Sequence, residues 1–266
     1  AGFTTGQMAI EQAQLLLSGD PGATVKLSVI RRGKTEPQDV ELTLAKLAPP
    51  KLVEDRLEGD IAYLHVSEFE SGAAKQIRDE LVQLDHQGAH KLILDLRDCA
   101  LGDDQEGIAT AQLFVSSGTI TTLKGQTIAP VISSAEASKV VWTEPVSVLI
   151  GNGTAGPAEI VASAIADNQR GETVGERTYG TASYQKLIEL EDGSALFLTL
   201  ANYYTPGSKE IPIEGVAPTR EVHSVPDDVA ALSDAYPPAP SSSVTDPVVK
   251  KAIEILEAPP AAKKAA

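Results

Sequence analysis

The sequence predicts an α/β fold, in which helices pack on a largely parallel sheet. Apolar runs that suit strands alternate along the chain with helical patterns; the runs are 61–66, 91–97 and 146–150, and the helices are 74–84, 105–115 and 157–170. Strand–helix alternation is typical of parallel sheets, because a helix carries the chain back to begin the next strand. The runs at 91–97 and 146–150 are strongly apolar, which indicates buried strands.

The first 48 residues predict a smaller α+β segment. Residues 6–17 carry apolar side chains at helical spacing, and the turn at 19–22 ends that helix. Alternating apolar residues then predict two strands at 25–29 and 40–44, joined by the basic turn 31–34.

This segment resembles the second half of a bacterial PDZ domain, on the stretch LLSGDPGATV at residues 16–25. The strand that would pair with a peptide C-terminus belongs to the first half, which this sequence does not contain. Peptide capture by strand addition therefore does not follow from the resemblance. An appendage that only packs against the rest of the chain is the open alternative.

Composition shifts predict the domain boundaries. Ala48-Pro49-Pro50 indicates a linker, and residues 226–243 are rich in Pro, Ala and Ser. Apolar residues at helical spacing from Val248 to Leu256 predict one last helix before a frayed tail. The expected organisation is a partial PDZ-like segment at 1–48, a core at 58–225, and a linker, helix and tail at 226–266.

Charge and cysteine content narrow the classes of partner and site. The net charge of −15 opposes binding to nucleic acid or to an anionic membrane surface. The single cysteine, Cys99, excludes an internal disulfide. The sequence has no apolar run of membrane-spanning length and no signal-peptide pattern. Because it starts at Ala1 without an initiator methionine, we expect it to be a fragment of a longer precursor.

The stretch 146–206 has the form of an active-site elbow. A buried strand at 146–150 leads into the small-residue turn GNGTAG and then into a helix that starts near Pro157. Such a turn presents backbone N–H groups, and the helix N-terminus adds its partial positive charge. A hairpin pattern that ends in Tyr203-Tyr204-Thr205-Pro206 follows.

Residues 60–222 resemble the carboxyl-terminal-processing (tail-specific) serine peptidases, family S41. The resemblance is carried by the following stretches: 61–69, 92–97, 149–185, 192–206 and Gly215-Val216-Ala217-Pro218. It implies a ClpP/crotonase-like βαβ core with packed helices, to which a PDZ segment is attached. Asp246-Pro247 and the helix after it fit the C-terminus of the family.

The chemistry of that family is a Ser–Lys dyad, in which a lysine kept neutral by burial takes the proton of the nucleophilic serine. The serine segment of the family matches GTAGPAEI, which places Gly156 at the nucleophile position. The lysine segment matches YGTASYQ, which places Thr181 at the base position. Glycine cannot attack a carbonyl, and a threonine hydroxyl is no base near neutral pH. Gln185 and Asp167 match supporting positions of the family.

The oxyanion loop departs from the family as well. The family has an Asn-Pro-Gly-Gly-like loop after the strand at 92–97, and a glycine N–H of that loop helps to form the oxyanion hole. This chain has Asp98-Cys99-Ala100-Leu101-Gly102-Asp103-Asp104 there. Negative charge near an oxyanion hole opposes the transition state. We therefore expect the old cleft to be lined by Thr154, Cys99 and Gly102 without a competent nucleophile or base.

Other residues could in principle restore activity. Thr154 is either a replacement nucleophile or, as the helix position favours, the cap of the following helix. Cys99 is either a thiol nucleophile or a packed side chain. Lys186 is expected to face solvent, away from Gln185. The four histidines show no metal-ligand spacing. The acids Asp98, Asp103, Asp104 and Glu106 are either a cation site or, as is more common, an acidic solvated loop, and no metal is expected.

Three functional hypotheses follow. The first is a catalytically inactive homologue that binds peptides or proteins, in particular unfolded or C-terminal protein segments. The second is an active serine-type peptidase with an unrecognised nucleophile and base, and the third is a structural subunit that mediates oligomerisation. Possible partners include a second copy or an active paralogue, and no cofactor is expected. The resemblance implies an exported protein of the periplasm, cell envelope or thylakoid lumen.

Overall fold

The computed structural model describes residues 13, 16–31, 36–46, 53–56, 59–190, 195–223 and 245–258. The chain divides into two compact units. The first comprises residues 1–50 and 227–237, and the second comprises residues 51–226 and 238–266.

In the first unit, two antiparallel strands form a hairpin, β1 (Thr24–Val29) and β2 (Gln38–Thr43). Both strands predicted here are therefore present. Of the predicted helix 6–17, Ala13, Leu16 and Leu17 are described and are helical; the rest of it, like residues 32–35 of the basic turn, lies outside the described residues. The PDZ-like character of this unit stays a prediction.

The second unit contains the predicted α/β core. Its strands are β3 (Val53–Arg56), β4 (Ile61–His65), β5 (Glu68–Phe69), β6 (Lys91–Asp95), β7 (Leu101–Gly102), β8 (Thr119–Gly125), β9 (Val131–Ser134), β10 (Val146–Ile150), β11 (Glu172–Gly175), β12 (Ser183–Glu189), β13 (Ala195–Tyr204) and β14 (Arg220–Glu221). Its helices are α1 (Ala73–His86), α2 (Asp104–Gln112), α3 (Pro157–Asp167) and α4 (Pro247–Glu257).

A six-stranded sheet with the order β14-β11-β10-β6-β4-β3 forms the centre of this unit. All neighbouring pairs from β14 to β4 are parallel, and only β3 pairs with β4 in the antiparallel direction. The predicted largely parallel sheet is confirmed. In such a sheet the carboxyl ends of the strands meet at one edge, and in open α/β sheets this is the edge where ligands bind.

Both faces of the central sheet are covered by helices. Along β4, Ala62 and Leu64 belong to one apolar cluster with residues of α1, α2 and α3, whereas Ile61 and Tyr63 belong to a second cluster with residues of α4. Successive side chains of a strand point to opposite faces, so each of the two faces has its own core. This explains why the strand sequences are apolar throughout. The last helix is thus part of the fold.

A second sheet has four antiparallel strands in the order β12-β13-β8-β9. β13 is ten residues long, and it pairs with β12 from Ala195 to Asn202 but with β8 only from Ala201 to Tyr204. The outer part of the β12–β13 hairpin therefore extends beyond β8.

Candidate functional site

The loop between β10 and α3 lies at the carboxyl edge of the central sheet, as the elbow pattern predicts. Gly156 is the N-cap of α3 and has a φ of 57°, a left-handed value that favours glycine. Pro157 follows at the first helical position, where its missing N–H leaves no hydrogen bond unmade. The backbone is thus pre-shaped into a sharp strand-to-helix turn.

Glu159, three residues into the helix, is the anchor of this region. Its side chain is completely buried and accepts five hydrogen bonds at 2.5–3.1 Å. The donors are the backbone N–H groups of Gly156, Gly180, Thr181 and Ala182 and the hydroxyl of Thr178. A buried carboxylate is stable only when it is paired or fully hydrogen-bonded, and this one meets the second condition.

The segment after β11 is held in place from its other side as well. The Thr178 hydroxyl accepts the N–H of Val216 at 2.7 Å, and the Thr178 N–H donates to the Val216 carbonyl. A Cβ at Gly215 would run into the Thr178 carbonyl oxygen, so only glycine fits there. The Gly-Val-Ala-Pro motif therefore serves to pack the chain against residues 178–182.

These contacts bring the two dyad positions side by side. One oxygen of Glu159, Oε2, accepts the N–H of Gly156 at 3.0 Å and the N–H of Thr181 at 2.8 Å. The Thr181 residue itself is exposed. A Cβ built on Gly156 meets only one atom within 4 Å, the Ala100 carbonyl oxygen at 3.8 Å. The scaffold therefore has room for a side chain at 156, but neither position carries a reactive group.

The loop after β6 presents an acceptor where the family reaction needs a donor. An oxyanion hole consists of N–H groups aimed at the developing negative charge. Here the carbonyl oxygen of Ala100 is the nearest atom to the side-chain position of residue 156. Partial burial, followed by the charge of Asp95, raises the pKa of Asp98 in the same loop. Burial therefore disfavours the charged form of this carboxyl.

Gly102 is held by strand pairing. It lies in β7, which pairs with β5, and its φ of 130° together with the backbone of Phe69 leaves no room for a side chain. Gly102 therefore fixes the course of the loop.

Thr154 neither caps α3 nor acts as a free hydroxyl, so the predicted cap was wrong. Its side chain is completely buried, donates to the Leu96 carbonyl at 2.8 Å and accepts the N–H of Gly151 at 3.0 Å. Gly156 takes the cap position. With its proton donated to a carbonyl and no base beside it, Thr154 joins the turn to the end of β6.

Cys99 is completely buried, and burial together with the charge of Glu68 raises the pKa of its thiol well above the ordinary range. A thiolate is the nucleophilic form, so this cysteine is unreactive near neutral pH. The prediction that Thr154 and Cys99 line an open cleft was wrong for both, because burial removes them from any surface. The packed-cysteine alternative fits the structure.

Asp167 and Gln185 are not drawn into the site. Asp167 is the last residue of α3, which has eleven residues, so it lies about 16 Å from Gly156 along the helix axis. Its carboxylate accepts the N–H of Gly207 at 2.8 Å. Gln185 is exposed on β12 and donates to the Thr199 hydroxyl at 3.2 Å. Lys186 is exposed, as expected.

The acids near α2 are exposed or half-buried, as the predicted solvated loop requires, and two of them also accept backbone N–H groups. Asp103 caps α2 by accepting the N–H of Gln105, and Glu106 accepts the N–H groups of Gly72 and Ala74 at the start of α1. Burial raises the pKa of Asp104 to about 6, and the hydroxyl of Tyr203 donates to it. Among the described residues, no group of His, Cys, Asp and Glu side chains is arranged to hold a metal ion.

Sequence reasoning missed one buried network at this edge. Asp95 is completely buried, accepts from the Tyr63 hydroxyl at 2.6 Å and forms a bidentate ion pair with Arg97. Arg97 also donates to Asp246, which caps α4. The Asp-Pro helix start at 246–247 was a visible signal for the cap, but nothing local in the sequence pairs it with Arg97.

A family model supports the same assignment as the motifs. Residues 60–222 match the model of Peptidase family S41. The chain belongs to this family. The α/β architecture agrees with a solved structure described as a photosystem II D1 C-terminal processing protease, with a TM-score of 0.67 and 26% identity over 84% of this chain and 62% of that one.

Curated S41 relatives carry names of processing proteases. A carboxyl-terminal-processing protease of Synechocystis sp. is 34% identical over 83% of this chain and 52% of its own length. Carboxyl-terminal-processing peptidase 2, chloroplastic, of Arabidopsis thaliana is 31% identical over 81% of this chain and 43% of its own length. The chain thus spans about half the length of these relatives. Within its described residues, no helix is long and apolar enough to cross a membrane.

Proposed function

We propose that this member of family S41 is a catalytically inactive homologue that binds unfolded or C-terminal segments of proteins. The observation that carries the proposal is the pair Gly156 and Thr181. One buried carboxylate brings the two positions together, and neither has a nucleophile or a base. Covalent catalysis needs both groups, so the site can hold a chain without cutting it.

Two further observations support inactivity. The Ala100 carbonyl faces the side-chain position of residue 156, where an oxyanion hole would need N–H donors. The two alternative nucleophiles, Thr154 and Cys99, are buried. The anchoring groups around Glu159 are nevertheless intact. An anchored backbone without a nucleophile or a base suits binding better than hydrolysis by an unrecognised arrangement.

The relatives' processing roles suggest where such binding takes place. We infer an exported protein of the periplasm, cell envelope or thylakoid lumen, since Arabidopsis relatives are named chloroplastic. The protein itself would associate with a second copy of the chain or with an active paralogue. A purely structural subunit is the competing function; it predicts no affinity for peptides.

The test compares the unmodified protein with the double variant Gly156→Ser plus Thr181→Lys. Each is incubated with an unfolded protein that ends in an apolar tail, and cleavage is followed by mass spectrometry. We expect the unmodified protein to bind the tail without turnover; cleavage by the double variant alone would show that two groups separate it from its active relatives. Reproducible cleavage by the unmodified protein would contradict the proposal, and absence of tail binding would favour the structural subunit.

A further inference from the structure

The outer part of the β12–β13 hairpin carries a sheet edge that no described strand covers. β8 stops opposite Ala201, so residues 195–199 of β13 pair with β12 on one side only, and Leu200 lies at a bulge in that pairing. Exposed edges of this kind present N–H and C=O groups that another strand can pair with. Six residues correspond to about 20 Å of strand.

A groove lies where β8 would continue along this edge. It has a volume of about 640 Å³ and is bounded by residues 124–127 at the end of β8 and by residues 198–202 of β13. A Cβ on Gly125 would collide with the Leu200 carbonyl oxygen, so the chain of β8 approaches β13 closely before it turns away. The groove therefore spans the last residues at which β8 pairs with β13 and the residues beyond them that β8 does not cover.

The side chains around this edge are apolar and exposed. On one face of the hairpin, Leu187 lies opposite Phe197, and on the other face, Ile188 lies opposite Leu196. Leu187, Phe197 and Leu196 are each about half exposed, at 48%, 54% and 49%. Single exposed apolar residues are ordinary, but a hairpin that is apolar on both faces marks an interaction surface.

We propose that the free edge of β13 at residues 195–200 binds an extended, uncharged, apolar peptide segment of a partner protein by strand addition. Backbone hydrogen bonds would pair the segment with β13, and alternate apolar side chains would contact Leu198 and its neighbours in the groove. The surface is separate from the positions of Gly156 and Thr181, which do not line the groove. This inference does not depend on the proposed loss of catalysis.

A peptide suits this edge better than a second copy of the chain. A stable protein dimer uses about 20–30 residues on each side, whereas the free edge has only six. The net charge of −15 also opposes self-association. Within the groove, Lys124 and Glu210 balance each other in charge, which favours an uncharged occupant.

The test measures binding of a fluorescein-labelled, end-capped octapeptide of alternating leucine and threonine to the full chain, by fluorescence anisotropy. Leu198→Lys places a charge in the groove and should weaken binding about tenfold or more. Leu187→Lys is the matched control, since Leu187 is similarly exposed on the same hairpin but does not line the groove; it should change affinity by less than about twofold. The same peptide with every backbone nitrogen methylated has no N–H to donate on either edge and should bind about tenfold more weakly.

Several results would overturn the proposal. These are no binding at millimolar peptide, equal binding of the methylated peptide, and equal binding by Leu198→Lys. A dimer in sedimentation equilibrium that Leu198→Lys dissociates would assign the edge to a second copy instead. The Gly156→Ser plus Thr181→Lys variant should bind the octapeptide unchanged, so the outcome for this edge is separate from the outcome for the cleft.

Discussion

The N-terminus of α3 and the outer β12–β13 hairpin differ in whether their side chains find favourable surroundings within the chain. At the helix, a polar group lies in the interior, and all the donors that surround Glu159 converge on its carboxylate. At the hairpin, apolar side chains lie in solvent on both faces. The first region has its polar groups satisfied within the chain, whereas the second leaves apolar side chains exposed.

The chain thus keeps the residues that hold the backbone of the site but lacks the side chains that would react. The groups that shape the cleft are present, and the side chains that would react at 156 and 181 are absent. Selection that maintains the fold of the site but not its catalytic activity would leave an intact backbone without reactive groups at 156 and 181. The exposed apolar hairpin is the surface for which a peptide partner is proposed, and the following predictions test both regions.

The largest effect is expected from Glu159→Ala. The change leaves four backbone N–H groups and the Thr178 hydroxyl without their acceptor in a buried site, which should cost about 3–5 kcal/mol of unfolding free energy. Urea unfolding followed by circular dichroism measures it.

The control for this variant is Glu136→Ala. Glu136 forms an exposed ion pair with Lys139 at 2.7 Å, and its removal should cost less than about 0.5 kcal/mol. Similar losses of unfolding free energy for the two variants would mean that Glu159 does not anchor residues 178–182. The N-terminus of α3 would then not differ from an ordinary exposed surface.

The fold was largely predictable, because it follows from local patterns. Continuous apolar runs predicted the buried parallel strands, and the spacing of apolar residues predicted α1 and α4. The adjacency of positions 156 and 181 was expected only through the family resemblance. Nothing in the composition of either segment indicates it.

The bonding of the site was less predictable, because it joins residues far apart in the chain. Thr154 donates to Leu96, 58 positions away, and Arg97 pairs with Asp246, 149 positions away. A threonine just before a helix suits a cap equally well in sequence. The glutamate three residues after the N-cap was a visible signal of a capping interaction, yet its bonds to residues 178–182 depend on how the whole unit folds.

An intermediate, pH-dependent effect is expected from Asp104→Asn. Asp104 is the first residue of α2, and the Tyr203 hydroxyl of β13 donates to it. Its pKa in the folded protein is about 6, above the ordinary value of 3.8. The folded state therefore holds the proton more tightly, so the contribution of this group to stability is full below pH 4 and declines as the pH rises through 6.

At pH 7.5, Asp104→Asn removes this unfavourable burial of charge and should raise the unfolding free energy by about 1–3 kcal/mol; below pH 4 the gain should vanish. Chemical unfolding across pH 3.5–8 measures the difference. Asp79→Asn, which alters an exposed carboxylate, should give a small difference at every pH. A gain for Asp104→Asn that does not depend on pH would contradict the assigned cause.

The smallest effect is expected at the hairpin. Phe197→Ala should change the unfolding free energy by less than about 0.5 kcal/mol, because the ring is 54% exposed and its removal loses few packing contacts. Phe114→Ala is the matched change at a ring that is 1% exposed, and it should cost about 3–5 kcal/mol. A loss above 2 kcal/mol at Phe197 would show that the hairpin packs within its own chain. Its apolar faces would then already have their complement, and the contrast with the helix terminus would no longer imply a partner.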